Sequence, residues 1–335
     1  MIFRERRMME EDVACVIRME RPGGPDVLQP AEIDLPAPAA GEVRVRQTAI
    51  GVNYHDIYVR SGLYRTLPLP GVPGIEAVGI VEAVGDGVAL RSGDRIGYVS
   101  GGYGAYAAAR NLDAGLAVRL PDQLGDIQAA ASLMKALTVC MLVRRVHRVA
   151  AGETILVHAA AGGVGQLLCN WARHLGATVI GTVGSEAKAA IARAAGADHV
   201  ILYREEDVAT RVAAITGGAG VAAAYDSIGA DTFDASIAAL GYEGHLVNFG
   251  QASGPVAPFS PSLLAARSLT ISRPIIFHYL RSPKRLAAIA EETFAAFDTG
   301  ILTPIEPVVM PLAEAGEAHR LLESRRSPGG VVLVP

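Results

Sequence analysis

A short run of β-forming residues, Thr154-Ile155-Leu156-Val157, feeds a turn of small side chains, His158-Ala159-Ala160-Ala161-Gly162-Gly163-Val164-Gly165, which opens into a helix-forming segment. This is the strand, turn and helix start of a βαβ unit built to hold a dinucleotide. The turn reads A-x-x-G-x-x-G, with Ala159 where the commoner fingerprint has its first glycine. Gly162 lets backbone approach a pyrophosphate, and Gly165 lets the helix pack closely on the strand. The helix N-terminus offers unpaired N–H groups and a positive dipole end to phosphates. Ala160, Gly162, Gly163, Val164 and Gly165 are therefore candidate contacts to a nicotinamide or flavin cofactor. Such a turn alone also marks ordinary loops, so its surroundings decide.

The surroundings alternate strand and helix. Gln166–Leu175 carries apolar residues at helical spacing and is followed by Gly176, a C-cap signal. Thr178–Gly184 reads as a second strand, Glu186–Ala195 as a helix and Asp198–Leu202 as a third strand. The pattern continues with helix Asp207–Thr216, strand Val221–Asp226, helix Thr232–Leu240 and strands His245–Phe249 and Leu269–Ser272. Short connections between alternating elements predict a doubly wound parallel sheet of order 3-2-1-4-5-6.

At 335 residues the chain predicts two domains. A net charge of −4 without a long basic block argues against nucleic acid as the principal partner. Arg144, Arg145 and Arg148 cluster on a short helical piece and read as a solvated face. No long uncharged apolar run suggests a membrane span, so no membrane partner is expected. Cys15, Cys140 and Cys169 are far apart, odd in number and set among apolar residues; they read as reduced core thiols, which implies the cytoplasm. Residues 1–12 are highly charged, lack the apolar stretch of a signal peptide, and read as a flexible extension.

From Val13 to about Ala131 the pattern changes to short strands broken by Gly and Pro, including Val13–Met19, Glu42–Ala49 and Gly79–Gly85. This predicts a β-rich, partly closed barrel. Helix Ile127–Val146 leads into the nucleotide domain. After Arg273-Pro274 come helix Pro283–Phe297 and strands Val308–Met310 and Val331–Val334, which rejoin the N-terminal domain. The expected domains are 1–134 with 272–335, and 135–271.

Two further groups of candidates follow from these elements. An NAD enzyme usually ends its second strand with Asp or Glu; this chain has Gly184-Ser185 there, followed by Lys188. A hydroxyl and an ammonium without a carboxylate suit a 2′-phosphate and point to NADPH, with Glu186 as a counter-signal. A solvated helix position is the alternative for Lys188. Ser227, Phe249, Gln251 and Ser253 lie at the C-terminal ends of strands four and five, where open sheets bind ligands. His55, His158, His245 and His278 match no ligand spacing and read as structural.

The chain resembles the medium-chain dehydrogenase/reductase superfamily, and within it the zinc-free quinone oxidoreductases of ζ-crystallin type. The resemblance rests on Gly23-Gly24-Pro25-Asp26-Val27-Leu28, Ala49-Ile50-Gly51-Val52-Asn53-Tyr54-His55-Asp56, Arg60-Ser61-Gly62-Leu63-Tyr64 and the fingerprint turn. Gly181-Thr182-Val183-Gly184-Ser185, Tyr203-Arg204-Glu205-Glu206-Asp207, Tyr225-Asp226-Ser227-Ile228-Gly229 and Leu322-Glu323-Ser324-Arg325 complete it. It implies a GroES-like catalytic domain, a Rossmann domain and a homodimer. It further implies that Asn53, Asp56 and Tyr64 stand beside the nicotinamide and that Thr138 contacts its carboxamide. Ser185, Lys188, Tyr203 and Arg325 take the 2′-phosphate and adenine end. Asn53 and Tyr64 orient the acceptor, the alternatives being a turn cap and loop packing.

Zinc-containing relatives carry a cysteine at the position of Asn53 and a histidine at that of Ile75, so Glu76 alone cannot hold a metal and none is expected. Without a Lewis acid, an electron-poor acceptor is the natural substrate. The resemblance implies an NADPH-dependent quinone reductase. An enone, enal or enoyl-thioester reductase is the nearest alternative, and a non-catalytic NADPH- or RNA-binding protein the most distant.

Overall fold

The computed structural model describes residues 13–100, 102–324 and 329–335. The chain divides into two compact units. The first runs up to Met134 and adds Leu280–Ala290 and Pro304–Pro335; the second comprises Lys135–Tyr279 and Glu291–Thr303.

The first unit begins with strands β1 (Val13–Arg18), β2 (Gln29–Asp34), β3 (Glu42–Val52), β4 (Glu76–Val84), β5 (Arg95–Val99), β6 (Ala109–Asp113) and β7 (Ala117–Arg119). β3 is the organising strand, pairing antiparallel with β4 and β6. Its inward residues Val43, Val45, Ile50 and Val52 join Val81, Ile96, Tyr98 and Leu112 in a buried core. β1 alternates, with Ala14 and Val16 inward, and this turns Cys15 outward. Cys15 is therefore exposed, which corrects the expectation of three core thiols; Cys140 and Cys169 are buried. Helix α1 (Tyr54–Ser61) follows β3. Helix α2 (Asp126–Met141) crosses the unit boundary and continues as a π-helical turn over Leu142–Val146. By length and composition alone the 126–146 segment could cross a membrane, but 78% of its most apolar window is buried inside the protein.

The second unit contains β8 (Thr154–Val157), α3 (Gly163–His174), β9 (Thr178–Val183), α4 (Glu186–Ala194), β10 (His199–Leu202), α5 (Val208–Ile215), β11 (Val221–Asp226), α6 (Phe233–Ala239), β12 (Leu240–Asn248) and β13 (Thr270–Ser272). The strands are parallel in the order β10-β9-β8-β11-β12-β13. This is the 3-2-1-4-5-6 order, whose switch point lies between β8 and β11. Leu156, Ile180, Ala224 and Leu246 fill the sheet's core, as both faces of a covered parallel sheet require. Gly176 and Gly196 close their helices at φ +87° and +98°.

Helix α7 (Pro283–Asp298) straddles the units, so residues 272–279 and 291–303 pack with the second. One reason is Glu292, which pairs with Arg145 at 2.5 Å and Arg144 at 3.7 Å. These two arginines thus do more than line a solvated face. The chain then returns through β14 (Val308–Pro311), α8 (Ala315–Glu323) and β15 (Val331–Val334), with β15 antiparallel on β3.

Candidate active site and cofactor-binding edge

In the first unit the polar residues gather around the start of α1. Asn53 is its N-cap in extended conformation, and its N–H donates to the Asp56 carboxylate at 2.8 Å. This is one half of a capping box, and Gly62 ends the helix at φ +84°. The Asn53 side-chain amide donates to Glu76 Oε2 at 2.8 Å, while Glu76 Oε1 accepts the Met134 N–H at 2.6 Å. Gly51 permits this geometry, since a Cβ there would sit 2.4 Å from Glu76 Oε2 and from the Ala130 carbonyl. Asn53 therefore caps a turn and also presents a fixed amide. Asp56 is fully buried and accepts the Tyr106 hydroxyl at 3.2 Å, so its carboxylate acts within the fold.

Tyr64 packs edge-on against Tyr58 and His55, at 5.1 and 5.5 Å between ring centres. It also walls a cavity of about 380 Å³ with Met19, Val59, Arg65, Leu67 and Leu69. His55, which reads as structural in the sequence, stacks at 5.9 Å on Tyr103, a residue the sequence did not single out, and hydrogen-bonds to it through Nε2 at 3.3 Å. Burial pushes the His55 pKa down to about 4, so the imidazole is neutral near pH 7. The two are 48 residues apart, and no spacing rule could have joined them. Ile75, at the position of the expected missing ligand, is fully buried. Among the described residues no cluster of His, Cys, Asp and Glu could hold a metal ion.

In the second unit the fingerprint turn is shaped by close approach. Ala159 takes φ +51°, the left-handed region that favours glycine. A Cβ on Gly165 would lie 2.3 Å from the Ala159 carbonyl, so α3 packs directly on the turn. Gly162 is the N-cap of α3 and supplies no side-chain cap, which leaves the first-turn N–H groups to a ligand. Gly163 and Val164 begin the helix, and Ala160 is buried beneath it against Gly181. This cradle fits a pyrophosphate.

The turn is braced from below by a buried polar network. His158 meets Thr182 Oγ1 through Nδ1 and Ser236 Oγ through Nε2, both at 3.0 Å. Ser236 donates to Asp226 at 3.3 Å, and Asp226 also accepts the Ile228 and Gly229 N–H groups. Burial holds the His158 pKa down against the pull of Asp226.

At the end of β9, Ser185 stands at the N-cap of α4 without a side-chain capping bond, and Lys188 follows in the first turn of the helix. A Cβ on Gly184 would lie 2.8 Å from the Tyr203 hydroxyl, so this phenol lies against the same strand end. Glu186, the counter-signal, faces Arg193 at 3.6 Å. Ser227, Phe249, Gln251 and Ser253 share one loop cluster: Phe249 N–H donates to Asp226, and Ser253 N–H and hydroxyl both donate to Ile228. Ser253 thus stitches two loops together. Thr138 is buried on α2, and Arg325 lies outside the described residues.

Comparison with known proteins is consistent along nearly the whole chain. Residues 39–122 match the alcohol dehydrogenase GroES-like domain and residues 163–291 the zinc-binding dehydrogenase family. The chain is 43% identical to the quinone oxidoreductase of Salmonella typhimurium, over 96% of this chain and all of that protein. It is 39% identical to a 2-haloacrylate reductase from a Burkholderia species, over 96% of this chain and 99% of that one. Among solved structures, Escherichia coli quinone oxidoreductase complexed with NADPH superposes with a TM-score of 0.93 at 42% identity, covering 96% of this chain and all of that one.

Proposed function

The chain belongs to the quinone oxidoreductases of the medium-chain dehydrogenase/reductase superfamily, and we propose that it reduces quinones with NADPH without zinc. The carrying observation is 43% identity to a quinone oxidoreductase over that protein's entire length. When bound, NADPH supplies the hydride. Ala160, Gly162, Gly163, Val164 and Gly165 hold its pyrophosphate on the uncapped start of α3. Gly184, Ser185, Lys188 and Tyr203 receive the adenosine 2′-phosphate; Arg325 joins them, and Thr138, Ser227, Phe249, Gln251 and Ser253 border the rest of the cofactor. For the fingerprint turn, for Gly184, Ser185 and Tyr203 and for Ser227 and Phe249, the support is a position just after the C-terminal ends of the parallel strands, together with the absence of a carboxylate at the end of β9.

On the acceptor side, Asn53 and Tyr64 orient the quinone and stabilise negative charge developing on its oxygen. Asp56 positions Asn53 through the capping bond. A quinone is already electron-poor, so alignment and hydrogen bonding suffice where a Lewis acid would otherwise be needed. The 2-haloacrylate reductase relative favours a second reading, reduction of a conjugated alkene on the same scaffold.

Assays of NADPH oxidation with 1,4-benzoquinone, 9,10-phenanthrenequinone, 2-hexenal and crotonyl-CoA separate the two readings. Quinone turnover well above the alkenes is expected; the reverse order would transfer the assignment. NADPH should exceed NADH in kcat/KM, and Lys188→Ala should narrow that gap about tenfold, the value of one charge-assisted contact. Equal use of both cofactors by the unaltered chain would refute the 2′-phosphate assignment. We also place the protein in the cytoplasm as a homodimer joined at the β13 sheet edge, which exposed Ile275 and Tyr242 accompany. Sedimentation should show a dimer that Ile275→Asp weakens.

A further inference from the structure

A chain of hydrogen-bonding groups leads from the surface to the rings beside Asn53. Thr66 is exposed, and its hydroxyl meets that of Tyr103. Tyr103 in turn reaches His55 Nε2 at 3.3 Å, and the His55 ring meets Tyr64 edge-on at 5.5 Å. His55 lies on α1 between Asn53, its N-cap, and Asp56.

The link at Tyr103 is held at a conformational cost. Tyr103 is buried and adopts φ +60°, a region a bulky residue rarely enters. Its carbonyl is clamped by the Arg110 guanidinium, and Gly104, at φ +89°, would place a Cβ 3.2 Å from that guanidinium. Residues kept in such conformations by their surroundings concentrate at functional sites. The clamp fixes the phenol where it can touch an exposed residue's hydroxyl and a partly buried imidazole together. The imidazole is neutral near pH 7, so one ring nitrogen carries a proton and the other accepts; delivery of a proton from Nδ1 uses the tautomer in which Nε2 accepts from Tyr103.

We propose that Thr66, Tyr103 and His55 form a proton-delivery chain to the quinone oxygen held by Asn53 and Tyr64. The proposal rests on the quinone-reductase reading given above. Hydride from NADPH reduces the quinone to the level of a hydroquinone anion, which needs one proton. His55 gives its Nδ1 proton to that oxygen while Nε2 takes the Tyr103 hydroxyl proton. Tyr103 takes the Thr66 proton, and Thr66 takes one from water. Each N–H or O–H bond broken along the chain is replaced, and the net change is one proton moved from solvent to product. His55 acts on the acceptor; Tyr103 and Thr66 act through it.

The test uses the full chain with NADPH and 1,4-benzoquinone. Tyr103→Phe and His55→Ala should lower kcat by about tenfold to a hundredfold, the lower range for general-acid help, with KM and NADPH affinity little changed. Added imidazole should restore His55→Ala. The unaltered enzyme should show a solvent deuterium effect whose dependence on deuterium fraction is curved, since several protons move together, and Tyr103→Phe should make it linear. Thr66→Val, an exposed change that folding tolerates, should lower kcat and flatten that curve even if a Tyr103 variant fails to fold. Unchanged kcat and curvature in Thr66→Val, or failure of imidazole to restore a folded His55→Ala, would overturn the relay. A chain that oxidises no NADPH with any quinone would remove the reading of the site itself, and that result appears before any variant is made.

Discussion

At Ala159 one backbone angle separates this fingerprint from the glycine form. A left-handed alanine costs about 1–2 kcal/mol, part of which is offset because glycine adds freedom to the unfolded chain. Ala159 is partly exposed at φ +51°, so little packing is lost with its methyl group. Ala159→Gly should therefore stabilise the protein by about 0.5–1 kcal/mol, seen as a higher urea midpoint at unchanged slope. Gly165→Ala should do the opposite. Its Cβ would strike the Ala159 carbonyl at 2.3 Å, so α3 must shift, at about 2 kcal/mol or more and with weakened NADPH binding. The glycine spacing made these positions legible because glycine is selected by exactly such close approaches. The strained Ala159 and Tyr103 were not legible as such, since neither residue type advertises a positive φ.

Among the elements, α1 shows why part of the first unit was hidden. Its stop and start signals stand in the sequence as Asn53, Asp56 and Gly62, but eight residues buried on most sides leave no clear polar face to count. Tertiary bonds hold it instead. Arg60, with a side chain 4% exposed, makes a paired contact to Glu323 on α8 at 2.7 and 2.9 Å. Glu323→Ala would leave that guanidinium buried without its carboxylate, at a cost of about 2 kcal/mol. This is below the full range for a buried pair because Glu323 is 38% exposed. Arg60→Leu combined with Glu323→Ala should cost less than the sum of the single changes, which a double-mutant cycle in urea would measure. In the second unit, by contrast, most strands and helices were legible, because a covered parallel sheet writes continuous apolar runs between glycine-capped helices. β12 is the exception: it starts at Leu240, ahead of the expected His245, because Gly241-Tyr242-Glu243-Gly244 has turn composition but continues as strand.

Across the whole molecule, acid should act on both units through buried histidines. In the first unit burial pushes His55 down to about 4 and His319, fully buried beside Arg60, down to about 3. In the second, His158 and His245 are lowered as well, again chiefly by burial. Each has an ordinary value of 6.5 once the chain unfolds. Below that pH the unfolded chain binds protons that the folded chain refuses, so unfolding is favoured as pH falls. Stability should be flat above about pH 7 and decline below about 6.5 by about 1.4 kcal/mol per pH unit for each of His55 and His319, with His158 and His245 acting in the same direction. The His55 contribution levels off near its folded value of about 4, and that of His319 near about 3. Carboxylates with lowered values, such as Glu292, add their loss only nearer their ordinary 4.5, so the window between pH 6.5 and 5 belongs mainly to histidine. His319→Gln keeps a polar group opposite the Tyr106 hydroxyl, which His319 Nε2 meets at 2.8 Å, but cannot take up a proton. Urea unfolding at stepped pH should give a slope in this window shallower by one proton for that variant. An identical slope would mean that His319 is protonated in the folded state despite its burial.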